Sequence, residues 1–265
     1  MDLSLKAKVI LITGGASGIG ASIAYACGRE GAVPIIFDRD QHSIQKIQSE
    51  LRTQGIEHKT VCVELTESAK TSQAVDAVGK EFGRIDGLVN NAGVNDGVGL
   101  EHGSPERFVT SLKGNLVHYY TMTQAALPFL KRSKGSVVNM ASKVAVTGQG
   151  GTSGYAAAKG AILELTAEWA HEFSSYGIRV NAIVPAEVMT PQYQAWLKKF
   201  EQPEEELRKI SAKIPLGHRM TEPEEIAAMT VFLLSARSAG MSGQHLFVDG
   251  GYVHLDRGLI RDISA

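Results

Sequence analysis

Apolar positions along this chain follow two alternating rhythms. Short, nearly continuous apolar runs recur as VILIT (9–13), VPIIF (33–37), KTVCV (59–63), DGLVN (86–90), SVVNM (136–140), IRVNAIV (178–184) and HLFV (245–248). Runs of this length, rich in β-branched residues and lacking polar alternation, suit strands buried on both faces. Longer segments of helical character separate them, among them 105–131 and the Ala-rich stretch from Gly154 to Trp169. Seven strands alternating with helices predict an α/β fold: a doubly wound, Rossmann-type parallel sheet of seven strands flanked by helices, one domain over residues 1–265. The charged stretch 189–222, with Pro191, Pro203 and Pro215, interrupts the alternation and reads as a helical excursion covering a substrate.

Candidate chemistry gathers at the carboxyl ends of the runs, where open α/β sheets bind ligands. The first run leads into Thr13-Gly14-Gly15-Ala16-Ser17-Gly18-Ile19-Gly20 and directly into a helix. Glycines there permit a tight turn and close approach of a pyrophosphate to free N–H groups at a helix N-terminus. The spacing differs from G-x-G-x-x-G, with three residues between Gly14 and Gly18. Asp38 ends the second run, eighteen residues past Gly20, where a carboxylate would meet adenosine ribose hydroxyls and repel a 2′-phosphate. That favours NAD, with NADP possible, since Arg39 offers the alternative of pairing with the phosphate. Asp38 could instead cap the next helix. Glu64 and Leu65 follow the third run, where an adenine edge would lie, and Asn90-Asn91-Ala92-Gly93 closes the fourth.

The stretch SKVAVTGQGGTSGYAAAK (142–159) carries the reaction candidates. Tyr155 and Lys159 are four apart, so on a helix both emerge on one face. A phenol loses its proton near pH ~10, and an adjacent ammonium is the simplest means of lowering that value toward neutrality. Ser142 sits at a strand end, placed to hold a substrate oxygen beside Tyr155. Asn115 lies in a helical stretch where Asn is unfavourable, and buried there it could hold a water behind Lys159.

Composition narrows the partners. With 265 residues, 43% hydrophobic and 21% charged, the chain can bury a large core. A net charge of -1 without a Lys/Arg cluster argues against nucleic acid or an anionic membrane and leaves a small-molecule substrate. Two cysteines without metal or disulfide spacing fit a reducing, cytoplasmic setting. MDLSLKAK lacks the apolar core of a signal peptide, and no apolar run approaches the ~18 residues of a membrane span. The eight histidines are scattered and neither H-E-x-x-H nor C-x-x-C occurs, so no metal site is expected.

Taken in order, T-G-x-x-x-G-x-G at Thr13–Gly20, N-N-A-G at Asn90–Gly93, Asn115, Ser142 and Y-x-x-x-K at Tyr155 and Lys159 resemble the single-domain branch of the short-chain dehydrogenase/reductase family, from Lys8 to Tyr252. That resemblance implies Tyr155 as general acid/base, Ser142 orienting the reacting oxygen, and Lys159 lowering the Tyr pKa while binding the nicotinamide ribose. It implies that Asn115 anchors a proton-relaying water, that Val188 and Thr190 contact the cofactor beside Pro185, and that the chain is a homotetramer. The family's usual Pro-Gly is Pro185-Ala186 here, which could alter the backbone path. Asn95, Asp96, His102, Lys143, Gln149, Thr152, Glu187, Tyr193 and Trp196 would line the substrate pocket with Ser142 and Tyr155, and their polarity suits a polyol better than a steroid or acyl chain. VNDGVGL (94–100), HYYTM (118–122), VAVTGQGGTSGY (144–155), PAEVMTP (185–191) and FVDGGYVHLDR (247–257) further resemble bacterial L-fucose dehydrogenases. The alternatives are a hydroxysteroid or secondary-alcohol dehydrogenase, a 3-ketoacyl reductase, and a non-catalytic dinucleotide-binding sensor. His254 and Arg257 of the C-terminal tail could reach a neighbouring subunit's pocket.

Overall fold

All seven runs form strands in the computed structural model, which describes residues 2–255: β1 (Val9–Thr13), β2 (Val33–Asp38), β3 (Lys59–Cys62), β4 (Gly87–Asn90), β5 (Ser136–Met140), β6 (Arg179–Pro185) and β7 (His245–Val248). They pair in parallel in the order β3-β2-β1-β4-β5-β6-β7. The helices between them are α1 (Gly18–Arg29), α2 (Gln41–Thr53), α3 (Ser68–Phe82), α4 (Pro105–Leu112), α5 (His118–Ser133), α6 (Ser153–Glu172), α7 (Pro191–Leu197), α8 (Pro203–Ser211) and α9 (Pro223–Leu234). Arg257 lies outside the described residues.

Strand alternation divides the core into two apolar layers. Val9 and Leu11 of β1 face a layer filled by Val75 and Val78 of α3, Met122 and Phe129 of α5, and Ile162 and Trp169 of α6. Ile10 and Ile12 face the other, built on Ile23 of α1, Ile44 and Ile47 of α2, and Ile226 and Val231 of α9. Each such side chain, fully withdrawn from water, contributes roughly 1.5–3 kcal/mol to folding. Because β1 is flanked by β2 on one side and β4 on the other, the winding reverses there and opens a crevice at the carboxyl ends of the strands.

Two features shape that crevice, the first of them a departure from the sequence reading. The helical stretch 105–131 is not one α-helix: Lys113–Val117 forms a π-helical turn between α4 and α5. The extra residue rotates everything after it by about 100° relative to a continuous α-helix. The excursion 189–222 folds as α7 and α8, and Pro191 and Pro203 open these helices from the first turn, where a missing N–H costs nothing. Its two ends are pinned by a parallel bridge between Val188 and Thr221, with Thr221 N–H donating to Glu187 O at 2.9 Å and Met189 N–H to Thr221 O at 3.0 Å.

Candidate active site

The glycine turn is held from three sides. Gly14 and Gly18 adopt φ of 61° and 53°, and a Cβ on Gly20 would lie 2.1 Å from the Gly14 carbonyl oxygen. Thr13 Oγ1 accepts the N–H groups of Asn91 at 2.9 Å and Ala92 at 3.1 Å, while Asn91 Nδ2 donates to the carbonyls of Thr13 and Gly14. This stitches the end of β1 to the end of β4. Ser17 precedes α1 without a capping side-chain bond, so the first N–H groups of the helix stay uncommitted beside the cavity that Ser17, Gly18 and Ile19 line.

Asp38 does not cap α2; Asp40 does, accepting from His42 and Ser43 N–H. The Asp38 carboxylate instead takes the backbone N–H of Ala16 at 3.1 Å and those of Arg39 and Asp40 at 2.8 and 3.1 Å. Arg39 is engaged by Glu64 at 3.0 Å. Asp38, Arg39, Glu64 and Leu65 all line the cavity.

At the other end of the crevice Tyr155 and Lys159 project from α6, and Ser142 follows β5. Ser142 and Tyr155 are hydrogen-bonded, and Ser142 Oγ also accepts Val144 N–H at 3.5 Å. Lys159 is buried and donates to Met140 O at 2.7 Å and to the hydroxyl of Tyr119 at 3.1 Å. Its Nζ lies 5.5 Å from the centroid of the Tyr155 ring. The hydrogen bonds of the amine go to Met140 and Tyr119 rather than to the phenol of Tyr155. Burial pushes the phenol up to about 12 against the opposing Ser142 bond, and burial pulls Lys159 down to about 7.

Asn115 is fully buried within the π turn. Its Nδ2 donates to Ser111 O at 3.0 Å and its Oδ1 accepts Val94 N–H at 2.7 Å, so the side chain ties the turn to the loop after β4. A Cβ on Gly93 would meet Asn115 Oδ1 at 3.0 Å and Lys159 Nζ at 3.4 Å, so glycine is the residue that lets this loop close over the amine.

The remaining cofactor candidates Asn91, Ala92, Gly93, Pro185, Val188 and Thr190 line the same cavity, and Gly20 sits just behind it as a spacer. Ala186 does not adopt the left-handed backbone that glycine would permit. Of the substrate candidates, Ser142, Tyr155 and Tyr193 line the cavity. Behind Tyr193, Lys143 Nζ and the Glu187 carboxylate form a closely paired, largely buried ion pair, and Tyr193 hydrogen-bonds to Glu187. Lys143 Nζ also lies 4.0 Å from the centroid of the Tyr252 ring. Trp196 packs edge-on against Tyr193 at 5.2 Å. Asn95, Asp96, His102, Gln149 and Thr152 are not brought together with these: Asp96 accepts from Ser111 Oγ at 3.0 Å, Thr152 precedes α6, and the others are exposed. His254 is exposed and meets the Phe247 ring edge-on at 4.3 Å.

Sequence reasoning missed His118 and Tyr119, which the π turn directs inward. Their only sequence signal was a pair of polar rings three and four residues after an out-of-place Asn. His118 Nε2 lies 3.1 Å from Gly114 O, while Nδ1 is buried without a partner. Desolvation, then the field of Lys159, lowers its pKa to about 4.

One cavity of about 580 Å³ joins the glycine turn, Asp38 and the Ser142–Tyr155–Lys159 corner. Gly14, Gly18 and Gly93 keep its wall free of side chains, and Asp38 and the start of α1 offer a carboxylate and unpaired N–H groups. These are the features a nicotinamide dinucleotide requires, so the residues present fit that cofactor.

Comparison with known proteins agrees with this geometry. Residues 14–253 match a family model described as "Enoyl-(Acyl carrier protein) reductase". An L-fucose dehydrogenase of Oryctolagus cuniculus is 38% identical over 92% of this chain and 84% of its own length. A 3-oxoacyl-(acyl-carrier-protein) reductase of Thermotoga maritima is 34% identical over 95% of this chain and all of its own length. Among solved structures, that of Cj0485 dehydrogenase shares 46% identity, covers 99% of this chain and 100% of its own, and superimposes with a TM-score of 0.94.

Proposed function

The chain belongs to the short-chain dehydrogenase/reductase family and is an NAD(P)-dependent oxidoreductase acting on CH–OH groups; from that premise we propose that it oxidises the anomeric hydroxyl of a free aldose, L-fucose or a close relative such as L-galactose or D-arabinose, to its lactone, with NAD as the preferred cofactor. The observation that carries the substrate class is the buried Lys143–Glu187 pair with Tyr193 and Tyr252, set directly beside Ser142. A buried ion pair and two phenols backing the cavity suit a ring of hydroxyls better than a steroid or acyl chain, whose apolar surface would be left against charge. The similarity to L-fucose dehydrogenases supports the same choice.

In this reading Ser142 donates to the oxygen of the reacting hydroxyl and Tyr155 removes its proton. The nicotinamide, when bound, accepts the hydride from the same carbon and in its oxidised form brings positive charge into the cavity that Tyr155 lines. Lys159, protonated, adds to that positive field and so favours the phenolate. Lys159 is also the residue that would hold the nicotinamide ribose, and Asn115 fixes the loop that carries Gly93. The excursion 189–222 covers the substrate through Tyr193. We further infer a homotetramer, supported by the exposed apolar residues Val109, Val117 and Tyr120 along the outer face of α4, the π turn and α5.

NAD reduction measured with a panel of aldoses, hydroxysteroids and acyl thioesters tests the substrate class. Turnover of L-fucose or its stereochemical relatives is the expected outcome, and turnover confined to a steroid or thioester would overturn it.

A further inference from the structure

Lys159 is a buried amine on an apolar helix face, and its setting is more specific than the helix spacing implied. Its Nζ lies 5.2 Å from the Tyr119 ring centroid and 5.5 Å from that of Tyr155, so it stands between two phenols. An ammonium has three N–H donors. One goes to Met140 O and one to Tyr119 Oη, which leaves the third for the cavity. Tyr119 donates its own proton to Met140 O at 3.0 Å, so the oxygen of Tyr119 presents lone pairs to the amine.

The Tyr119 ring is wholly buried, in a place that a phenylalanine would fill without leaving a polar atom to satisfy. Its presence there follows from the π turn: without the extra residue in Lys113–Val117, α5 would present a different side chain at this point. Tyr119 cannot serve as a second base, because burial, and then the neighbouring Tyr155, raise its pKa well above the ordinary phenol value. It is a permanent donor and acceptor. Among the described residues, the other titratable side chains around the amine are His118 on α5, held neutral at pH 7, and Tyr155 on α6.

We propose that Tyr119 is a positioning residue of the reaction centre: its hydroxyl, together with the Met140 carbonyl, stations the Lys159 amine between the two phenols and stabilises its charged form, on which the activation of Tyr155 depends. Tyr119 touches neither substrate nor cofactor in this arrangement and acts through Lys159.

The test is Tyr119→Phe, which removes one oxygen and keeps the ring. In the oxidative direction, kcat/KM followed across pH has an acid limb set by deprotonation of the base. With one acceptor lost, the ammonium is less favoured, and that limb moves about one pH unit upward, giving roughly tenfold lower kcat/KM on its acid side. The alkaline plateau and the Kd for NAD stay within about threefold of the wild type, within the spread expected when ground-state contacts are untouched. Superimposable profiles would overturn the proposal, as would a variant too unstable to assay, since the hydroxyl would then serve folding. A second arm needs no substrate: amine labelling of Lys159, read by mass spectrometry across pH, begins at lower pH in Tyr119→Phe because the neutral amine is more populated. Unchanged labelling also overturns it. The inference rests on the Tyr155–Lys159 reading, but a wild type that oxidises no aldose refutes only the substrate proposal and leaves the labelling arm to decide this one.

Discussion

The carboxylate of Asp38 accepts the backbone N–H of Ala16 at 3.1 Å, so the residue that would read the adenosine ribose is itself part of the glycine turn. One side chain thereby shapes the phosphate cradle and sets the charge beside it. Charge-assisted hydrogen bonds of this kind contribute about 1.5–3 kcal/mol, or roughly 10–100-fold in affinity. Asp38→Ala is expected to raise KM for NAD by that factor and to raise kcat/KM for NADP relative to NAD. Glu64→Gln, which loosens the partner of Arg39, is expected to shift the same ratio toward NADP with a smaller loss for NAD. Steady-state kinetics with both cofactors reads both effects.

Gly20 marks a position where a single methyl group should be fatal to the cradle. Its added Cβ would sit 2.1 Å from the Gly14 carbonyl oxygen and 2.8 Å from Asn91 Nδ2, and backbone cannot retreat as a flexible side chain can. Overpacking of this kind costs about 1–3 kcal/mol. Gly20→Ala should lower the denaturant midpoint accordingly and weaken NAD binding more than tenfold. Gly148→Ala, at a glycine whose Cβ would meet nothing within 4 Å, is the control and should do neither.

The strands were legible because a seven-stranded parallel sheet is buried on both faces and writes itself as plain apolar runs; β1 and β5 coincide with VILIT and SVVNM. The glycine turn, Asp38 and the Ser142–Tyr155–Lys159 corner were legible because each sits at a strand end or on a helix spacing, which are local properties. What was not legible depended on long-range packing. The π turn at Lys113–Val117 has no hydrophobic period of its own, and with it went the inward placement of His118 and Tyr119. The bonds that seat the amine were illegible for the same reason: Met140 and Tyr119, which hold it, are distant from Lys159 in sequence. Asn95, Asp96 and Gln149 lie on exposed loops, whose conformation no local sequence period sets.

His118 makes the fold sensitive to acid. Its folded pKa is lowered to about 4, below the unfolded value, so the unfolded chain binds a proton at pH values where the folded chain does not. The stability this represents is fully present above pH ~6.5 and is lost as pH falls toward 4, by about 3 kcal/mol over the whole window. Urea denaturation at pH 7 and pH 5 should show wild-type stability falling by about 2 kcal/mol from this group alone. His118→Gln should lose less between the same two pH values, whatever its stability at pH 7. An identical pH dependence in the variant would show that another group sets the acid limit.

The proposed base gives the sharpest separation of chemistry from binding. Tyr155→Phe removes the oxygen that takes the proton and leaves the ring, the glycine turn and Asp38 in place. Proton transfer by a positioned side chain contributes about 10²–10⁴-fold, so kcat should fall by at least that range while the Kd for NAD changes less than about threefold. Ser142→Ala removes the bond that opposes the raised pKa of Tyr155, and kcat/KM for oxidation should fall at pH 7 and partly recover as pH rises. The sign follows from the protonation state required: oxidation needs the phenolate, and burial holds the phenol protonated up to about 12 before any activating charge acts, so the wild-type oxidation rate rises with pH and the reduction rate falls. Ser142→Ala should displace both limbs to higher pH, whereas Tyr155→Phe should leave no pH-dependent limb at all. Residual activity of Tyr155→Phe that keeps the wild-type pH profile would assign the proton transfer to another group.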